Sequence, residues 1–216
     1  MKKRTLMLLP VLLLVSCNIG NSISVKYDDA DKYTVGDLET TDAVSTINLN
    51  YITGKIHFSY VNDSKVYVSE KANKEIPEDV QMRYYLKDGV LNIQPCATGR
   101  RDYTNASRQL EIKIPTSYSL EKIKIDSVSS DIKLDVNADK YVINTVSGDL
   151  SMEIDSFSSI TCNVVSADAE IKIKNSLGVS VEFNTVSGEL TNDFKDSNDS
   201  QKIKFDSVSG DLHIKK

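Results

Sequence analysis

Five segments of the chain align without a gap: Asp126-Ser-Val-Ser-Ser-Asp-Ile, Asn144-Thr-Val-Ser-Gly-Asp-Leu, Asn163-Val-Val-Ser-Ala-Asp-Ala, Asn184-Thr-Val-Ser-Gly-Glu-Leu and Asp206-Ser-Val-Ser-Gly-Asp-Leu. Their starts lie 18, 19, 21 and 22 residues apart. A sixth, Asn50-Tyr-Ile-Thr-Gly-Lys-Ile, fits the same frame with Lys55 where the others carry an acid. One unit of this size cannot bury its own apolar face and must stack on its neighbours. The expected fold is therefore all-β, a single-chain β-solenoid or β-helix of coils of about twenty residues, spanning residues 41–216.

Parity within each copy predicts the shape of a coil. Ile123 and Ile125 alternate as a half-buried strand requires, and Val128, Ile132 and Leu134 alternate on the opposite parity. The same switch recurs at Tyr141, Ile143 then Val146, Leu150, and at Val181, Phe183 then Val186, Leu190. This places a corner at each Asp/Asn–Ser/Thr pair, with the following valine turned inward. The next position but one is always small (Ser130, Gly148, Ala167, Gly188, Gly210), which predicts a second bend or a close approach between coils. Stacking would line up the valines, serines and acids in columns about 4.8 Å apart.

The repeat is interrupted by an insertion, residues 59–115. Val66 and Val68 mark a strand. Val80, Met82, Tyr84 and Leu86 alternate towards Asp88-Gly89, and Leu91 and Ile93 return, which predicts a hairpin with a type I′ turn. An irregular stretch from Cys96 to Gln109 follows before Leu110, Ile112 and Ile114 resume the strand pattern. No segment beyond the N-terminus reads as a helix.

The run Gly89-Val-Leu-Asn-Ile, then Leu110-Glu-Ile-Lys-Ile-Pro, then repeated Thr-Val-Ser-Gly-Asp-Leu units resembles the putative-adhesin family of bacterial β-solenoid domains, a domain of unknown function. The resemblance covers residues 41–216. It implies an extracytoplasmic β-solenoid and supplies no catalytic residues.

The N-terminus carries an address. Lys2, Lys3 and Arg4 precede an apolar stretch from Leu6 to Val15, too short to span a bilayer as a helix, and Leu14-Val15-Ser16-Cys17 resembles a bacterial lipobox. Residues 1–16 are expected to be a cleaved lipoprotein signal peptide. Cys17 would be acylated, and residues 17–40 would form a tether and an irregular first coil. The expected location is the cell envelope, lipid-anchored and extracytoplasmic, at the outer membrane or cell surface. Losing three cations takes the formal charge from −5 to −8, which argues against nucleic acid as a partner. Cys162 falls on an inward strand position, so a buried thiol is expected in preference to a Cys96–Cys162 bridge.

Three constellations are candidates for chemistry. The first is the acid column Asp131, Asp149, Asp168, Glu189 and Asp211 with its neighbouring serines. Carboxylates at that spacing in water repel by about 0.9 kcal/mol per pair, tolerable on a wet face without a cation. The alternative is a ladder of oxygen ligands for Ca²⁺ or a surface for cationic peptides. The second comprises Arg83, Tyr84, Tyr85, Arg100, Arg101, Tyr103 and Arg108, which hold every arginine after the signal within 26 residues and flank the break in the repeat. Arg and Tyr provide large, rigid contact area with a polar end, as binding hot spots do. The third is the pair His57 and His213, equivalent positions of the first and last copies. Four coils of about 4.8 Å would hold them about 20 Å apart, excluding a shared metal or a dyad.

These readings point to a non-catalytic module with no cofactor. It is expected to be adhesive, with a glycan, an envelope protein, a host surface or a cationic peptide as partner, or structural; the alternative is an envelope-stress or cation-binding protein that uses the acid column. A polysaccharide lyase or glycosidase would need two carboxyls about 5 to 9 Å apart beside a groove or aromatic platform, and the chain has no Trp. The terminal strand, Leu212-His-Ile-Lys-Lys, is expected to be the open edge of the stack, blunted by its lysines.

Overall fold

The computed structural model describes residues 24–100, 105–175, 178–194 and 201–216. The N-terminal part contributes β1 (Thr34–Val35), β2 (Leu38–Thr40), β3 (Thr46–Val61), β4 (Val66–Ala72), β5 (Arg83–Lys87), β6 (Val90–Gln94) and β7 (Arg108–Pro115). The repeats contribute β8 (Leu120–Leu134), β9 (Ala138–Ser147), β10 (Leu150–Ile154), β11 (Ser159–Ser166) and β12 (Ala169–Ile173). They continue with β13 (Ser180–Asn184), β14 (Leu190–Asn192), β15 (Lys202–Ser209) and β16 (Leu212–Lys215). The only helical turns among the described residues are two short 3-10 segments, Ala30–Lys32 and Glu78–Val80.

Each copy of the repeat crosses from one parallel face to another. On the first face β3, β8, β9, β11, β15 and β13 lie side by side, and on the second β3, β8, β10, β12, β16 and β14. The register follows the alignment of the repeats, with Asn50 opposite Asp126, Asp126 opposite Asn144, and Asn144 opposite Asn163. The core fills the space between the faces. Ile123, Ile125, Tyr141, Ile143, Ile160 and Cys162 from the first face are buried with Ile132, Leu134, Leu150, Met152, Ala169 and Ile171 from the second. Cys162 is fully buried, which pushes its thiol up to about 12. Cys96 is buried in a separate cluster with Ile76, Val80 and Ala106, and the two cysteines form no disulfide.

The bend falls later in each copy than the alternation predicts, and the valines point outward. Val146, Val208 and Val186 are 41%, 43% and 70% exposed, while Thr145 and Ser207, just before the first two, are buried, as is Val164 at the same position of the third copy. The reason lies in the backbone polar groups that the bend frees. Where that position carries a hydroxyl it can find a partner inside the bend, and in the third copy Val164 fills it with apolar bulk instead. Thr145 Oγ1 donates to the carbonyl of Ser147 at 2.8 Å, and Ser127 Oγ meets Ser130 Oγ at 2.7 Å. The small residue does mark a close approach. Gly148 has φ +101°, and a Cβ there would stand 2.2 Å from the carbonyl oxygen of Ser130 on the coil below.

The coils do not stack in chain order. The final coil, β15–β16, slots between β11–β12 and β13–β14, so the C-terminal strand is internal. Lys215 therefore does not blunt an edge; it pairs with Glu170 on β12 at 2.5 Å. The open edge is the coil of residues 178–194. Its inward column explains the choice: Phe58, Leu134, Met152, Ile171 and Ile214 are followed by Asn192. Burying that amide between two coils would strip it of water. At the end of the stack it accepts a hydrogen bond from the Phe194 N–H at 3.0 Å.

The insertion caps the other end. β6 and β7 extend the two faces beyond β3, and β5 and β4 add an antiparallel layer. The β5–β6 hairpin turns at Asp88 (φ 50°) and Gly89 (φ 76°), as a type I′ turn requires. Residues 34–40 then make a short irregular coil, β1 pairing with β5 and β2 with β4.

Candidate binding surfaces

The acid column is continuous, in the spatial order Asp131, Asp149, Asp168, Asp211, Glu189. Its carboxylates serve the bend. Asp168 Oδ1 accepts the backbone N–H of Asp211 at 2.9 Å, and Asp211 Oδ1 accepts that of Glu189 at 2.8 Å. Asp131 Oδ1 is in longer contact with the N–H of Asp149, at 3.4 Å. An amide ladder runs alongside, Asn144 Nδ2 donating to Asp126 Oδ1 at 2.6 Å and Asn163 Nδ2 to Asn144 Oδ1 at 2.7 Å. Beside the acids lies a groove of ≈ 640 Å³ lined by Asp149, Asp168, Glu189, Asp211 and Ser166, Ser187 and Ser209. A groove was not expected from the sequence. Its walls are polar and carry no aromatic ring on which a sugar would stack. No group of three or more His, Cys, Asp or Glu side chains converges as a metal set among the described residues.

The Arg/Tyr set divides. Arg108 leaves it: the residue is 2% exposed, and its guanidinium grips Glu70 through Nε–Oε1 at 3.0 Å and Nη2–Oε2 at 2.9 Å. Nη2 also donates to the carbonyl of Pro95 at 2.7 Å, and the group lies 5.3 Å from the centroid of the Tyr51 ring. This arginine holds the cap together and has no surface to offer a partner. Tyr84 packs half-buried against the core. Arg101, Tyr103 and Cys17 lie outside the described residues.

The remainder form a surface with residues that the sequence did not single out. Tyr85 faces Tyr33 with ring centroids 5.7 Å apart, and Tyr33 faces Tyr27 at 4.8 Å. Burial raises the pKa of Tyr27 and Tyr33 against smaller opposing effects, so both rings stay neutral phenols at physiological pH. The segment carrying them is pinned to the insertion: the Val25 N–H donates to the Arg100 carbonyl at 3.0 Å, and the Gly99 N–H to the Val25 carbonyl at 2.7 Å. Arg100 reaches out beside it, 61% exposed, in a 3.0 Å ion pair with Asp79. Arg83 Nη2 is 3.5 Å from the Glu78 carbonyl, and its Nε is buried without a partner. Tyr27 and Tyr33 sit in a polar segment with no repeat to align them, and only the chain's return onto the hairpin brings them to Tyr85.

His57 and His213 occupy one column, four rungs apart through β8, β10 and β12. His57 Nε2 lies 3.1 Å from Asp135 Oδ2, which also pairs with Lys133 at 2.7 Å. Burial pushes Asp135 up, but the hydrogen bonds from Lys133 and His57 together outweigh it and hold the carboxyl below the usual range.

Stacked coils with two parallel faces, an apolar core between them and a cap at one end define the class: a β-solenoid repeat protein. The chain belongs to the Toastrack DUF4097 family, whose profile matches residues 20–216. Among solved structures, that of a putative cell adhesion protein from Clostridium sporogenes superposes with a TM-score of 0.63 at 14% identity, covering 84% of this chain and 99% of that one. At that identity the likeness shows the fold alone. A putative lipid binding protein from Parabacteroides distasonis matches at 10% identity and a TM-score of 0.32, covering 83% and 96% of the two chains. A putative adhesin from Bacteroides fragilis matches at 11% and 0.25, covering 83% and 97%. Both overlap too loosely to bear on the fold. None of the curated protein sequences compared matches this chain. No helix among the described residues is long and apolar enough to cross a membrane.

Proposed function

We propose that the chain is a non-catalytic binding module of the cell envelope, tethered through an acylated Cys17. Its partner docks on the cap, at Tyr27, Tyr33, Tyr85, Arg83 and Arg100. The observation that carries this reading is the row of three tyrosine rings beside an exposed arginine, on the cap, where the chain departs from the repeat. The lipobox-like Cys17 stands ten positions before Tyr27 in the sequence. The description of the Clostridium sporogenes relative as a cell adhesion protein agrees with a surface location and a binding role. Glycans, envelope proteins and host-surface polymers are the partner classes that such a surface suits.

Co-sedimentation of residues 18–216, which lack the acylated cysteine, with insoluble envelope fractions and host-matrix polymers tests the reading. The protein should pellet, and Arg100→Ala with Arg101→Ala should abolish pelleting without lowering the melting temperature. Pelleting unchanged in that variant and in Tyr85→Ala would remove the cap as the site. Cys17→Ser should release the protein from membranes.

A second reading assigns cations or cationic peptides to the acidic groove. It rests on Asp149, Asp168, Asp211 and Glu189 lining one cleft. Binding there would weaken steeply with salt and would be sensitive to Asp149→Asn and Asp211→Asn.

A further inference from the structure

The end of the stack opposite the cap is an unfinished coil. In a parallel ladder, alternate residues of a strand turn their N–H and C=O groups to opposite sides. The Ser180 N–H bonds to the Gln201 carbonyl, so Ser180, Glu182 and Asn184 face β15. The main-chain groups of Val181 and Phe183 then point away from the stack. On the second face Leu212 and Asp193 bond with Glu189 and Ile214, which leaves the groups of Leu190 and Asn192 outward in the same way. Among the described residues no strand pairs with this side of β13 or β14. The side chains here are also unfinished: Val181 and Phe183, at positions where Ile203 and Phe205 are buried, are only half-buried, and Leu190 is 40% exposed.

Protein edges of this kind are usually kept from pairing by lysines, prolines or bulges. Residues 178–194 contain none of the first two; their charges are Glu182, Glu189 and Asp193. Cations do reach this end from the coil behind. Lys204 lies 3.5 Å from Glu182, and Lys216 stands 5.3 Å from the centroid of the Phe194 ring. A second copy of the chain, meeting this end head to head, would set Glu182 and Glu189 against their own equivalents. Approaching by its capped end, it would bring Asp37, and Glu39 already paired with Lys65 at 2.5 Å.

We propose that the open edge of β13 and β14 receives an extended segment of a protein partner, in which apolar residues alternate with lysine or arginine. The segment adds a strand to the stack. Its main chain meets the outward groups of Val181 and Phe183, its apolar side chains continue the core over Phe183, and its cations meet Glu182 and Glu189.

The test is titration of the full-length protein with a short peptide alternating lysine and valine, followed by fluorescence anisotropy. Saturable binding is expected, at least roughly tenfold weaker with a proline in the middle of the peptide or with glutamate replacing its lysines. Val181→Pro removes an outward donor while leaving the bonds to β15, and should abolish binding. Glu182→Lys with Glu189→Lys should weaken it without touching the backbone. Absence of binding, or binding indifferent to the peptide's proline and to Val181→Pro, overturns the proposal. So does concentration-dependent dimerisation that Val181→Pro removes, which would make the occupant a second copy. Arg100→Ala should leave this binding unchanged, which separates the edge from the cap.

Discussion

Replacing Arg108 by methionine keeps the aliphatic bulk and removes the guanidinium, and the structure sets the cost. The side chains of Arg108 and Glu70 are 1% and 6% exposed, so neither charge has water to fall back on. Glu70 would keep the Tyr51 hydroxyl at 2.6 Å and the Met82 N–H at 3.1 Å, but no counter-charge. The Pro95 carbonyl would lose the donor it now has at 2.7 Å. Breaking one side of a buried ion pair typically costs about 3–5 kcal/mol. In a domain of this size that lowers the melting temperature by roughly 6–20 °C. The assay is urea denaturation followed by circular dichroism, on Arg108→Met, Glu70→Gln and the double variant. Because Glu70→Gln removes the stranded charge and keeps an acceptor, the double variant should be more stable than the sum of the singles requires, by about 2 kcal/mol. A cost below about 1 kcal/mol for Arg108→Met, or strict additivity, would refute the argument that this pair holds the cap on the stack.

Four further outcomes follow from the same geometry. Val146→Asp should change stability by less than about 0.5 kcal/mol in a thermal melt, whereas Val164→Asp, one coil on and one position earlier in the frame, should cost more than about 3 kcal/mol. Gly148→Ala should destabilise by about 2 kcal/mol or more, measured by urea titration, because the new methyl meets a backbone carbonyl and the φ is positive. Cys162 should resist alkylation at pH 8 in the native state and react fully in denaturant, since burial raises its pKa to about 12. The carboxyl of Asp135 is held below its ordinary 3.8, so the unfolded chain binds this proton more readily; the resulting stability is present above pH 4 and fades as pH falls below it. His57→Ala with Lys133→Ala should flatten that part of the pH–stability curve.

The repeat was legible in the chain because one chemical unit recurs six times, and recurrence alone commands stacking. Copy-to-copy register, the type I′ hairpin, the outward acids and the burial of Cys162 all follow from local pattern, since each depends on residues close in sequence. Which side of the bend faces inward did not follow. A valine outranks a threonine in any apolar count, yet Thr145 turns its hydroxyl inward to the Ser147 carbonyl and Ser207 turns its own to the Thr185 hydroxyl. Arg108 and Arg100 look alike in the sequence. Only the fold puts Glu70 beside the first and leaves the second in water. The aromatic row is likewise tertiary, assembled from Tyr27, Tyr33 and Tyr85 by the return of the N-terminal segment onto the hairpin. The order of the coils was decided by a balance spread along the chain: the final coil, with Ile203, Phe205, Leu212 and Ile214 all buried, earns the interior place. The coil ending in Asn192 takes the end, where its amide keeps a hydrogen bond and the edge stays open. Sequence thus determines what stacks; the competition among the coils for burial determines where each one stands.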